Sequence, residues 1–101
     1  MWLLTSFDLP TNTKKERKVA AGFRKLLLKD GFIMFQYSMY IRFCSSRENA
    51  EVHKKRIERV LPKDGSIAII PITDKQFGSI DLYQGKKQIE SEKPGKQLQL
   101  F

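Results

Sequence analysis

Phe32-Ile33-Met34-Phe35-Gln36-Tyr37-Ser38-Met39-Tyr40-Ile41-Arg42-Phe43 is the stretch on which the fold turns. Aromatic and branched side chains dominate it, which favours extended backbone. It runs well past the five or six residues of an ordinary strand, and Gln36-Tyr37-Ser38 interrupts its middle. It therefore reads as two strands joined by a tight connection. Upstream, Trp2 to Asp8 is a short apolar run ending in a carboxylate, a buried strand by pattern. Leu9-Pro10-Thr11-Asn12 breaks it, because Pro10 cannot donate to a ladder. Thr13-Lys14-Lys15-Glu16 then matches a capping box, and Val19, Ala20, Phe23, Leu26 and Leu27 follow at helical spacing. Asp30-Gly31 is a stop signal, so the spacing predicts a helix over 13–30.

Downstream, Ser45-Ser46 opens a second helix that runs to Leu61 before Pro62, with Ala50, His53, Ile57, Val60 and Leu61 on one face. Lys63-Asp64-Gly65 is a turn, and residues 66–73 hold a strand carrying Ile67, Ile69, Ile70 and Ile72. The order strand, helix, strand, strand, helix, strand is that of an α+β, ferredoxin-like βαββαβ sandwich. Both helices then cover one face of a four-stranded antiparallel sheet. Strand one is apolar on both sides, with Trp2 and Leu4 alternating with Leu3 and Phe7, so the other face also needs a cover. The candidates are a fifth strand or the tail, and a homodimer packed sheet to sheet; the dimer is preferred.

The ferredoxin-like domain is assigned residues 1–83, with an extra strand around Ser79 to Tyr83. Residues 84–101 are assigned to a polar linker and C-terminal tail, because Gly85, Pro94 and Gly95 punctuate them. Leu98-Gln99-Leu100-Phe101 alternates, which suits a small strand added to a sheet edge or to a partner.

Composition narrows the function. Cys44 is the only cysteine, so it forms neither an intrachain disulfide nor a zinc cluster, and a reducing compartment, the cytoplasm, is expected. No apolar run approaches the roughly 20 residues of a membrane span. The chain carries 19 Lys and Arg against 11 Asp and Glu, a net charge of +8 that favours a polyanionic partner. From Lys14 to Lys29, Lys14, Lys15, Arg17, Lys18, Arg24, Lys25 and Lys29 face a single acid, Glu16. At about 100° per residue all seven fall on half the helical circumference, a cationic ridge about 25 Å long. The second helix balances most of its charge internally. An amphipathic membrane anchor fits poorly, because the apolar face of the first helix belongs to the core and its polar face lacks aromatic anchors. With no helix-turn-helix or zinc-finger pattern, binding directed at the phosphate backbone is the better match.

Reactive groups are few. His53, the only histidine, lies on the apolar face of helix two and reads as a packing residue. Asp8 ends strand one just before Leu9-Pro10. Such a carboxylate either caps the following turn through backbone amides or holds Mg²⁺ with water completing the octahedron.

Asp8-Leu9-Pro10-Thr11 leading into Lys14-Lys15-Glu16-Arg17-Lys18, then Phe23-Arg24-Lys25, Gly31-Phe32, Gln36-Tyr37-Ser38-Met39-Tyr40, Leu61-Pro62 and Thr73-Asp74-Lys75-Gln76-Phe77, resembles the CRISPR-associated protein two family, closest to its type II branch. The resemblance covers about residues 1–80 and implies a ferredoxin-like homodimer that bridges two dimers of the CRISPR integrase. Together they would hold duplex prespacer DNA for insertion into the CRISPR array. On that reading Lys14, Lys15, Arg17 and Lys18 grip the DNA backbone, with Arg24 and Arg42 as further candidates. Leu98, Leu100 and Phe101 would dock on the integrase or cross to the second subunit. The family is also described as Mg²⁺-dependent nucleases acting on single-stranded RNA or double-stranded DNA. Asp8 matches its proposed metal ligand and catalytic residue. The scaffold role is preferred over the nuclease.

Overall fold

A computed structural model describes residues 1–89, with elements in the order β1 (Trp2–Asp8), α1 (Lys14–Lys29), β2 (Ile33–Gln36), β3 (Met39–Phe43), α2 (Arg47–Glu58), β4 (Ser66–Ile72), α3 (Asp74–Gly78), β5 (Leu82–Gln84) and β6 (Lys87–Ile89). The first four strands form one antiparallel sheet in the order β2-β3-β1-β4, which is the ferredoxin-like arrangement. Leu98, Leu100 and Phe101 lie outside the described residues.

The helix that carries the ridge is fixed at both ends by its own sequence. At the start, the Thr13 hydroxyl accepts from the Glu16 amide at 3.0 Å, and the Glu16 carboxylate accepts from the Thr13 amide at 2.9 Å. At the end, Gly31 takes φ +90°, its amide donates to Leu28, and the Phe32 amide donates to Leu27. This Schellman closure drives Phe32, 1 % exposed, under the helix it terminates.

One sheet face carries Leu3, Phe7 and Tyr40 against Phe23 and Leu27 of α1 and Ala50 and Ile57 of α2. Phe7 meets Phe23 edge to face at 5.3 Å and stacks on Tyr40 at 5.8 Å. The core arc of α1 is narrower than its periodicity predicts. Ala20, Phe23 and Leu27 are buried, whereas Val19 and Leu26 sit on the flank and are nearly half exposed. Helix α2 also stops short of Leu61, at Glu58. The chain tightens into a turn in which the Val60 amide donates to the Ile57 carbonyl at 3.0 Å, and Leu61 precedes Pro62, which disfavours helical backbone. Val60 and Leu61 leave the core as a result and are exposed.

The opposite face departs furthest from expectation. Thr73-Asp74-Lys75-Gln76 forms a second capping box and starts α3, which the sequence reading left unassigned. The helix delivers Phe77, fully buried, onto Trp2 with ring centres 4.3 Å apart and planes inclined by 20°. Ile80 and Leu82 extend this cover over Phe35, Ile41 and Met39. The chain thus buries the Trp2 end of this face by itself, while Leu4 and Ser6 on the same face, paired with Ile70 and Ala68 of β4, are only half-buried. The flank at β4 stays open, with Ala68 and Ile70 exposed. The extra strand starts at Leu82 rather than Ser79 and pairs with β6 instead of the main sheet. Residues 84–89, assigned to the linker, complete this hairpin through a two-residue turn at Gly85-Lys86.

Candidate nucleic-acid interface

The ridge forms as its spacing predicts. Lys14, Lys15, Arg17, Lys18, Lys25 and Lys29 are exposed and Arg24 is half-buried. Glu16, whose carboxylate is turned back onto the Thr13 amide, forms no ion pair with them and offsets only one of the seven charges. Among the described residues, the ion pairs join Met1 to Asp74 and Asp30 to His53 and Arg56, so none touches the ridge. Arg17 also braces the loop ahead of its own helix, donating to the Thr11 carbonyl at 3.0 Å. Arg17 and Arg24, seven positions apart and hence nearly aligned, flank the ridge on the side away from the cleft that Leu26 shares with Ile57 and Val60. The other flank starts at Lys15, which lines a cleft with Lys63 and Asp64.

Arg42 does not join this set. Its Nε donates to the Asp30 carbonyl at 2.7 Å, its Nη1 donates to the Phe43 carbonyl at 2.7 Å, and its side chain lies against Gly31. It closes the C-terminal end of α1, where carbonyls lack helical partners. The Asp30 side chain, 18 % exposed, accepts from Arg56 at 2.8 Å and pairs with His53 Nδ1 at 2.8 Å. Burial alone would raise the Asp30 carboxyl, but the hydrogen bonds and charge of His53 and Arg56 outweigh it and hold the group below the usual carboxylate value of 3.8. His53 is thus a buried tie between α1 and α2, as its place on the apolar face predicts.

Asp8 stands exposed at the end of β1, opposite Ser66 of β4. Its carboxylate accepts no hydrogen bond among the described residues, so the turn-capping alternative is not formed. The backbone beside it is closely packed. Gly65, at φ +95°, lies so near that a Cβ would come within 2.8 Å of the Asp8 carbonyl oxygen. Among the described residues no three His, Cys, Asp or Glu side chains gather around a common point, so a single chain offers Asp8 as a lone carboxylate.

Sequence reasoning passed over the side chain of Tyr37. It sits at the tip of the β2–β3 hairpin and is 81 % exposed, the most of any large apolar residue among those described. The Ser38 carbonyl behind it accepts from the Phe7 amide at 3.0 Å, which ties the tip to β1 one residue before Asp8. Burial raises the Tyr40 phenol, and the charge of Arg24 opposes that shift.

The fold and site together define a class: a ferredoxin-like domain with one strongly basic helix and a free carboxylate at the end of its first strand. The family model described as CRISPR associated protein Cas2 matches residues 1–80. The CRISPR-associated endoribonuclease Cas2 of Flavobacterium psychrophilum is 62 % identical over 101 residues, covering all of this chain and 88 % of that relative. The one from Parvibaculum lavamentivorans is 54 % identical with both chains fully covered. The crystal structure of Streptococcus pyogenes Cas2 at pH 6.5 superposes with a TM-score of 0.63 at 21 % identity, covering 83 % of this chain and all of that one. The chain belongs to the Cas2 family. No helix among the described residues is long and apolar enough to cross a membrane.

Proposed function

We propose that this chain is a DNA-binding structural subunit of the CRISPR adaptation complex. In the cytoplasm, two copies bridge integrase dimers and hold duplex prespacer DNA for insertion into the CRISPR array. The observation that carries the reading is the ridge of α1, seven basic residues against one acid that is turned back onto the helix cap. Lys14, Lys15, Arg17, Lys18 and Arg24 supply charges and forks suited to phosphates, with no element aimed at base edges. The open part of the Trp2 face, where Ala68 and Ile70 of β4 are exposed, supports a second copy packed sheet to sheet. The tail residues Leu98, Leu100 and Phe101 are assigned to docking on the integrase or on that second copy.

A second reading has a specific observation behind it: the relatives are named endoribonucleases, and the Asp8 carboxylate is free and exposed. Mg²⁺ keeps several waters and needs only one or two carboxylates, so Asp8 is the residue that would hold it, with its twin across a two-fold axis as the second ligand. The metal would supply Lewis acidity and an activated water for phosphodiester hydrolysis.

Spacer acquisition in cells separates the two. The scaffold reading expects Asp8→Asn to leave acquisition intact and the double reversal Lys14→Glu with Arg17→Glu to abolish it. Loss of acquisition with Asp8→Asn in a correctly assembled complex contradicts the scaffold reading. Cleavage by purified protein that both EDTA and Asp8→Asn remove establishes the nuclease.

A further inference from the structure

Gly22 stands in the middle of α1, where a glycine destabilises a helix relative to alanine, and nothing inside the chain requires it. A Cβ built there would meet no heavy atom within 4 Å, and the backbone is not left-handed, so neither a close neighbour nor a turn explains the missing side chain. The residue is exposed. Lys15, Gly22 and Lys29 recur at every seventh position and so form one row along the helix, with Val19 and Leu26 beside it toward α2. That row borders a groove. At the C-terminal end of α1, Leu26 and Leu27 line a cleft of about 340 Å³ with Ile57 and Val60. At the N-terminal end, Val19 lines a second cleft of about 270 Å³ with Leu9 and Pro10. Gly22 lies between the two on the same flank and, lacking a side chain, leaves the path between them open.

The lining says what fits. The floor is apolar, and Val19, Leu26 and Val60 are 46 %, 43 % and 39 % exposed along it. Lys29 and Arg56 stand at one end, Lys15 and Lys63 at the other. Most of the acids nearby are committed elsewhere: Asp30 is tied to His53 and Arg56, and Glu16 to the Thr13 amide, which leaves Asp64 beside Lys63. A phosphate backbone gains nothing from an apolar floor. An amphipathic helix laid in such a groove buries its apolar stripe, and carboxylates along its edges meet the basic rims. From Lys15 to Lys29 the groove runs about 21 Å, the length of a helix of about 14 residues. None of the helices among the described residues of this chain carries a net negative charge, so a second copy does not supply the match. We propose that this groove docks an amphipathic helix of a protein partner, apolar on one face and acidic along both edges, whose backbone comes closest to α1 at Gly22. The site is separate from the crest of Lys14, Lys18 and Lys25 and does not rest on the DNA-binding reading.

The test uses the full-length chain and two fluorescein-labelled peptides of about 14 residues. One places leucines at helical spacing with glutamates elsewhere; the other has the same residues with that spacing broken. Wild type binds the spaced peptide about tenfold more tightly than its scrambled companion. Gly22→Leu, which fills the path between the clefts, removes that preference while leaving duplex DNA affinity unchanged and the melting temperature at or above wild type. Leu26→Gln, which removes part of the apolar floor, weakens the spaced peptide in the same way. Equal binding of the two peptides by wild type, or a preference that survives Gly22→Leu, overturns the proposal. Duplex affinity that falls in Gly22→Leu while peptide affinity holds assigns the groove to DNA and overturns it as well. If wild type fails to bind duplex DNA but discriminates the peptides, the ridge reading fails and the docking groove stands.

Discussion

Replacing Lys14, Lys18 and Lys25 together by glutamine tests the ridge quantitatively. The three lie within about 40° of one another on the helical wheel, at its crest. All are exposed, and none makes a hydrogen bond or ion pair among the described residues. Glutamine has nearly the helix propensity of lysine, so the fold persists. Helix α1, at 16 residues, is about 24 Å long, enough to track roughly seven phosphates of one strand. Each phosphate neutralised contributes about 0.9 to the slope of log affinity against log salt. Three lost contacts therefore flatten that slope by about 2.7. At 0.1 M salt each contact is worth roughly eightfold on the same relation, so the triple variant binds about 500-fold more weakly. Fluorescence anisotropy of a labelled duplex titrated between roughly 0.05 and 0.3 M salt, over which the Debye length falls from about 14 to about 6 Å, reads both quantities. An unchanged slope in a variant whose circular dichroism and melting temperature match wild type refutes the assignment of α1 as the phosphate-binding surface.

Three further outcomes concern the scaffold beneath the ridge. Phe77→Ala removes the ring that stacks on Trp2 and lowers stability by about 3–5 kcal/mol in urea unfolding, with a changed Trp2 emission; a loss below 1 kcal/mol would show that α3 does not cover the sheet. Thr5→Val keeps the shape of a fully buried residue whose hydroxyl has no partner, so it raises stability by about 1 kcal/mol, and a loss would contradict that. Because the Asp30 carboxyl is depressed below 3.8, its stabilising effect is complete above that pH and disappears as pH falls through its lower folded value. Asp30→Asn accordingly costs about 1–3 kcal/mol at neutral pH and flattens the acid limb of the stability curve; an unaltered acid limb speaks against the His53–Asp30–Arg56 tie.

The parts of the fold legible in the sequence were those governed by local rules. The Thr13–Glu16 box, the Asp30-Gly31 stop and the tight connection at Gln36-Tyr37-Ser38 each act over a few positions, and each formed where its residues stand. The ridge was legible for the same reason, since helical periodicity alone brings its charges to one side. The cover of the second sheet face was harder to read, because it depends on Phe77 meeting Trp2, 75 positions away. A local signal existed in Thr73-Asp74-Lys75-Gln76, which repeats the capping logic of α1, but five helical residues give no periodicity to support it. The contacts of Arg42 were not legible, because a basic residue on a strand shows its charge in the sequence but not the carbonyls of Asp30 and Phe43 that it binds. Tyr37 was overlooked because its exposure depends on the backbone of its neighbour, Ser38.

Sedimentation of the purified chain with a labelled duplex at low ionic strength tests the central claim most directly. The account predicts that the duplex sediments with two copies of the chain, and that the complex dissociates as salt rises. A single protomer sedimenting apart from the duplex at every ionic strength would contradict it.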